Sequence, residues 1–288
     1  MDKRVNGLKM KLAFVDFWGN FDHNNNFFVH YFKKLLKKEP LYIVNKDDAD
    51  IAIYTCFGNE HSSINRSKTK KIFFTGENIR PDFNQCDYSF TFDFDDYGGK
   101  NIRIPLWYMY IDWFGIKTYG NPSYLIPPSE FNGKWFNTTK EKDCCTVFSN
   151  PKHERFLMIN ALSKYMQVEC YGKPFGKHTD GEEDKYQKIS QYKTSICFEN
   201  GIQSGYVTEK LLHARTAGNL PIYCGHSDVK YDFNPEGFIN ANDFKSFEEC
   251  AEYANTILNN HDKYNNMLKA PIFNCKFFEF DAKVYNIF

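Results

Sequence analysis

The chain reads as an α/β protein in two halves, each a parallel sheet with its helices, and three observations predict this. Short apolar runs alternate with stretches of helical spacing through most of the 288 residues. Residues 194–225, TSICFENGIQSGYVTEKLLHARTAGNLPIYCG, spell strand, turn, helix, strand. Between about Trp113 and Asp143 the rhythm breaks, and Pro122, Pro127 and Pro128 among several Gly and Asn mark a linker or irregular excursion. The expected division is 1–138, 139–272, and an aromatic tail, 273–288, packing back on the body. Two such halves predict a cleft, with one substrate held on each.

Leu12–Trp18 (LAFVDFW) is the first expected strand, closed by Gly19, Asn20 and Asp22. Phe28, Tyr31, Phe32, Leu35 and Leu36 recur at helical spacing, which predicts a helix over 27–38. Leu41–Val44, Asp50–Cys56, Lys71–Thr75 and Tyr88–Phe92 complete an alternating first half. Pattern resumes with a strand at Thr146–Phe148, a helix over 152–165, a strand at Gln167–Tyr171 and a short helix over Lys185–Tyr192. Ser195–Phe198 has the length of a buried strand. A helix starts near Thr208, whose side chain is placed to cap it, and Gly218 ends it. Leu220–Cys224 and Phe238–Ile239 are strands. Ser246 with Glu249 is a capping-box signature for a helix over 247–258, and another runs to about Leu268, stopped by Pro271.

Lys plus Arg and Asp plus Glu both total 36, so zero net charge argues against nucleic acid or a polyanionic surface as the main partner. Aromatic content of 18% suits contact with the apolar faces of sugars, although most of the 29 Phe must fill the core. Nine Cys without a C-x-x-C pair, three of them (Cys56, Cys197, Cys224) inside apolar runs, indicate a reducing compartment. No transmembrane span or sustained apolar leader is visible, so the expected location is cytoplasmic.

The chemistry concentrates at strand ends. The helix starting at Thr208 offers unpaired N–H groups and partial positive charge to an anion, and Lys210 in its first turn adds a full charge. Asn200, Tyr206, Glu209 and Lys210 gather at the carboxyl end of the sheet, where open α/β folds bind ligands. The alternative is that Glu209 and Lys210 form a solvated first turn. In IFFTGENIR (72–80) a strand delivers Glu77 to its end, as a base or as a plain turn carboxylate. Arg155 lies about one turn inside a helix that follows FSNP (148–151), placed either for phosphate or for solvent. FDFDDY (92–97) has an Asp-x-Asp pattern, which either holds a divalent cation in a metal-dependent A-type glycosyltransferase through Asp93, Asp95 or Asp96, or makes a polar turn.

Together these blocks resemble the α1,3/1,4-fucosyltransferases, the soluble bacterial members in particular. The matching pieces are FFTGENIRPDF (73–83), CDYSFTFDFDD (86–96), IRIPLWY (102–108), FSNPKHER (148–155), CFENGIQSGYVTEKLLHARTAGNLPIYCG (197–225) and DFNPEGFINANDFKSFEECAEY (232–253). They occur in the family's order. The resemblance implies a GT-B fold, two Rossmann-like domains facing each other across a cleft, with acceptor on the first and GDP-fucose on the second. It implies inversion without an essential metal or other cofactor, with Glu77 as general base and Arg155 facing the donor pyrophosphate. Asn200, Tyr206, Glu209 and Lys210 then match donor-binding positions, and Asn78 and Trp18 are acceptor-side candidates.

On this reading FDFDDY is a structural turn, the partners are GDP-fucose and an N-acetyllactosamine-type glycan, and the source is microbial or viral. Departures remain. Gly201 stands where many relatives have Ser, and the heptad repeats, basic amphipathic tail and membrane anchor of some relatives are not expected here. A nucleotide-sugar-binding protein without catalysis is the reading from a different class.

Overall fold

The computed structural model describes residues 9–37, 40–132 and 140–274. The chain divides into two compact units. Among the described residues, the first runs to Met109 and includes Thr118–Asn121; the second takes Tyr110–Lys117 and the chain from Pro122 to Asn274. The tail beyond Asn274 lies outside the described residues.

The first unit opens with strand β1 (Met10–Val15), helix α1 (Phe27–Leu36) and strand β2 (Leu41–Ile43). Asn26 starts α1 by accepting a hydrogen bond from the Val29 N–H at 3.1 Å. The helix buries Phe27, Phe28, Val29, Tyr31 and Phe32, and the Phe28 ring packs on Phe74 and Phe90 at centroid distances of 5.0 and 5.6 Å. Strands β3 (Ile51–Tyr54), β4 (Lys70–Phe74), β5 (Tyr88–Thr91) and β6 (Asn101–Arg103) follow, then a one-turn helix α2 (Leu106–Met109) that seats Trp107 in the core. The sheet runs β2-β1-β3-β4-β5-β6, all parallel. The alternation expected here is incomplete. Between β3 and β6 the crossovers carry turns, such as the 3₁₀ turn Glu60–Ser63, instead of α-helices.

The second unit contains β7 (Lys142–Val147), α3 (His153–Leu162), β8 (Val168–Tyr171), α4 (Gly181–Ile189) and β9 (Tyr192–Phe198). Then come α5 (Glu209–Thr216), β10 (Leu220–Cys224), α6 (Val229–Asp232), β11 (Ile239–Asn240), α7 (Phe247–Leu258) and α8 (His261–Lys269). Its sheet runs β11-β10-β9-β7-β8, again parallel. Met158, Leu162, Ile196, Leu220, Ile222, Cys250 and Ala251 form its core. No helix among the described residues is long and apolar enough to cross a membrane. The described cysteines are all unpaired.

Several boundaries differ from expectation for local reasons. β1 stops at Val15 because Asp16 turns to φ 59°. β7 begins at Lys142, inside the stretch read as irregular, since Cys144 and Cys145 pair with β8 and β9. α4 starts at Gly181, and Tyr192 opens β9 instead of closing a helix. Ser246 caps α7 as expected, accepting from the Glu249 N–H at 3.2 Å, but Glu249 returns its bond to the Lys245 N–H at 2.9 Å.

One glycine lets the chain ends after β7 and β8 approach closely. Gly172, at φ 108°, lies against Phe148 at the exit of β7, and an added Cβ would overlap the Phe148 carbonyl. Gly172→Ala should therefore lower stability by about 3 kcal/mol. Gly19→Ala, at an open site with nothing within 4 Å, should change it by less than about 0.5 kcal/mol. Urea midpoints of the two variants measure the contrast.

Candidate functional site

The sequence-derived residues of the second unit collect where β9 ends and α5 begins. Glu199 follows β9 directly and is buried. One of its carboxylate oxygens accepts from the Thr208 N–H at 2.8 Å; the other accepts from the Thr208 hydroxyl at 2.6 Å and from the Lys210 ammonium at 3.3 Å. Lys210 also donates to the Thr208 hydroxyl oxygen at 2.8 Å. Thr208 occupies the N-cap position as expected, but its side chain caps no helix N–H: its hydroxyl proton goes to Glu199 and its oxygen accepts from Lys210 instead. The helix N-terminus is thus left without a side-chain cap, beside an ammonium 17% exposed.

A second layer of charge holds this one. Lys185 on α4 donates to Glu209 at 3.0 Å and to Glu182 at 3.2 Å. Burial opposes charge on Lys210, but the Glu209 and Glu199 carboxylates outweigh it and raise its pKa. Burial likewise works against ionised Glu209, and Lys210 and Lys185 overcome it, holding its carboxyl well below the usual range. Lys185 and Glu199 were absent from the expected site. Glu199 had a signal in its place directly after an apolar run; the pairing of Lys185 with Glu209, 24 residues apart, had none.

Arg155 and Asn200 meet: the guanidinium donates to the Asn200 side-chain oxygen at 2.9 Å. It also donates to the Phe198 and Asn150 carbonyls, both at 2.6 Å, and stacks over the Phe148 ring. At 2% exposure it ties α3 to the end of β9. Burial pulls its pKa down, although it stays charged. Tyr206 is buried at the end of the loop carrying Gly201 and Gly205.

In the first unit, Glu77 lies three residues beyond β4, exposed. Its N–H donates to the Thr75 hydroxyl at 2.9 Å, and the next residue, Asn78, has a buried side-chain oxygen without a hydrogen-bond partner. Trp18 follows β1 and presents a buried indole N–H, also without a partner. Between them Asp16 clamps the loop after β3. Its carboxylate accepts from the Glu60 and His61 N–H groups, each at 2.9 Å, and faces the His61 ring nitrogen at 2.7 Å. Burial would raise its pKa, but these donors lower it.

FDFDDY forms a turn. Asp93 is buried and paired with Arg80, and Tyr97 donates to it at 3.3 Å. Asp95 and Asp96 accept from the N–H groups of Tyr97 and Gly98 at 2.8 and 3.0 Å. A cavity of about 550 Å³ lies at the opposite, amino-terminal ends of this sheet's strands, lined by Asp50, Arg66, Lys70, Asp87 and Lys100, and takes in none of the expected site residues.

Residues 12–110 match the family model for the alpha-(1,3)-fucosyltransferase FucT N-terminal domain. Residues 137–269 match glycosyltransferase family 10 (fucosyltransferase), C-term. The chain belongs to the family 10 fucosyltransferases. It is 28% identical over 283 residues to the alpha-(1,3)-fucosyltransferase FucT of Helicobacter pylori, covering 90% of this chain and 59% of that protein. It is 36% identical over 130 residues to the mouse 4-galactosyl-N-acetylglucosaminide 3-alpha-L-fucosyltransferase 9, covering 44% of this chain and 36% of the mouse protein.

A crystal structure of an alpha1,3-fucosyltransferase aligns with TM-score 0.71 and 26% identity over 93% of this chain and 84% of that one. Another, with GDP-fucose, shares the fold at TM-score 0.73 and 24% identity, over 100% of this chain and 92% of that one. The fold of this family 10 chain is GT-B, with two Rossmann-like domains. The A-type reading of the Asp-x-Asp pattern is set aside on that fold and on the partners of Asp93, Asp95 and Asp96.

His213, one turn along α5 from Glu209, is buried with neither ring nitrogen hydrogen-bonded, the Glu182 carboxylate being 3.5 Å away. Burial, followed by the Lys185 charge, pushes its pKa down to about 4. An unfolded histidine titrates near 6.5, so the unfolded chain takes up this proton first as pH falls. Stability of the second unit should drop between about pH 6.5 and 4, by roughly 3 kcal/mol for this group. His213→Gln should flatten that part of the profile in urea melts taken across this pH range.

Proposed function

We propose that this chain is an inverting α1,3-fucosyltransferase that moves L-fucose from GDP-β-L-fucose to a hydroxyl of a glycan acceptor. The observation that carries this reading is the cationic start of α5, where Lys210 stands beside uncapped helix N–H groups, held by Glu199 and Thr208. Breaking the bond between fucose and GDP develops negative charge on the β-phosphate. An ammonium and a helix N-terminus stabilise such charge and supply what a divalent cation provides elsewhere. The names of the relatives agree: one neighbour is an alpha1,3-fucosyltransferase with GDP-fucose, and the mouse relative is a 4-galactosyl-N-acetylglucosaminide 3-alpha-L-fucosyltransferase. An N-acetyllactosamine-type acceptor follows from that name.

In this proposal Glu77 takes the proton of the attacking acceptor hydroxyl. Attack opposite the leaving GDP turns the β-linked sugar into an α-linked product. Asn200, Tyr206, Glu209 and Lys210 bind the donor. Arg155 lends its charge to the pyrophosphate side; for its Nη2 to bond a phosphate directly, Asn200 or the Phe198 carbonyl would have to yield its place. Residues 1–138 serve as the acceptor domain and 139–272 as the donor domain, and no metal takes part.

Incubating the protein with GDP-fucose and an acceptor array, with and without EDTA, tests the reading, and NMR of the product gives the linkage. Transfer should survive EDTA and yield an α1,3 bond; GDP binding without turnover on any acceptor would overturn it. Glu77→Gln should keep GDP-fucose affinity in calorimetry while transfer falls by about 10²–10⁴-fold. Near wild-type transfer would remove Glu77 from the role of base.

A further inference from the structure

The carboxyl edge of the first sheet carries an exposed ring that the reaction as proposed leaves without a task. Phe57 lies three residues beyond β3 and is 53% exposed. The strand order places β3 between β1 and β4, so Phe57 sits between the chain end bearing Trp18 and the one bearing Glu77. Neighbouring strands are about 4.8 Å apart, roughly the width of a pyranose ring. Side-chain contacts tie the three ends together. Trp18 meets the Phe57 ring edge-on at a centroid distance of 6.0 Å. Cys56, next to Phe57, has its sulfur 3.9 Å from the Thr75 hydroxyl, which in turn holds the Glu77 N–H at 2.9 Å.

The ring is also firmly seated. The Phe57 N–H donates to the Thr55 hydroxyl at 3.4 Å, and that hydroxyl donates to the Asp16 carbonyl. Downstream, the Asp16 carboxylate grips the N–H groups of Glu60 and His61, and the His61 ring stacks on Tyr54 at 4.2 Å. An aromatic ring held in water by a clamped loop is pre-organised for a flat, partly apolar ligand, since little ordering remains on binding. Two polar atoms without a hydrogen-bond partner lie buried on the same strand ends, the Trp18 indole N–H and the Asn78 side-chain oxygen.

We propose that Phe57 is the stacking platform for the acceptor sugar whose hydroxyl faces Glu77, with Trp18 buttressing it from behind. This rests on the transferase reading above. The platform selects for a pyranose presenting an apolar face, and sets acceptor affinity without touching the donor.

Initial rates at saturating GDP-fucose with varied N-acetyllactosamine test it, together with GDP calorimetry as the check on folding. Phe57→Ala should raise the acceptor KM about tenfold with kcat within about threefold of wild type. Phe57→Tyr, which restores the ring, should return KM to within about threefold. GDP affinity should match wild type in both variants. An unchanged acceptor KM in Phe57→Ala, or a Tyr variant as impaired as the Ala variant, overturns the platform and leaves the transferase reading standing. A wild-type protein that consumes no GDP-fucose on any acceptor overturns that reading and the platform with it.

Discussion

The second unit depends on how one buried carboxylate is satisfied. Glu199 sits where β9 ends, out of water, and a charge there is tolerated only when its lone pairs are filled and a counter-charge is near. Thr208 fills both oxygens and Lys210 supplies the charge. The arrangement fixes three things at once: the end of a strand, the first residue of a helix, and the place of an ammonium. Glu209, held from α4 by Lys185, extends it to a second helix. A site built this way is rigid because every member is another's partner, and such networks tolerate the loss of one member poorly.

The first unit applies the same logic with Asp16. Its backbone adopts a conformation that costs an aspartate something, and three hydrogen-bond contacts from the Glu60–His61 turn hold it there. In both units a carboxylate just past a strand gathers amide donors from a loop that would otherwise be loose. Arg155 does the converse for α3, gathering carbonyl oxygens. Local strand-end chemistry therefore organises the loops at the carboxyl edges, where open α/β sheets place their ligands.

Strands buried on both faces were legible as apolar runs, and helices such as α1 and α7 announced themselves by spacing and caps. Leu220–Cys224 was read to the residue because all of it is buried. β7 was missed at its start because Lys142, Asp143 and the adjacent Cys144 and Cys145 carry no strand pattern; partners on both sides make it a strand. The missing helices between β3 and β6 escaped notice because strand spacing says nothing about what fills a crossover. Glu77, Asn200, Glu209 and Lys210 were legible as candidates from their motifs. Lys185, His213 and the inward turn of Arg155 were not, since each depends on neighbours far along the chain.

Thr208 carries a consequence for redesign. For an isolated helix, aspartate or asparagine would be at least as good a first residue. At this position aspartate would set two carboxylates side by side, and asparagine could not supply hydroxyl geometry to both neighbours. Only a side chain able to give a proton to one partner while taking one from another fits, which narrows the choice to serine or threonine. A stabilising algorithm guided by helix statistics alone would choose wrongly here, and would dismantle the ligand edge while improving the helix.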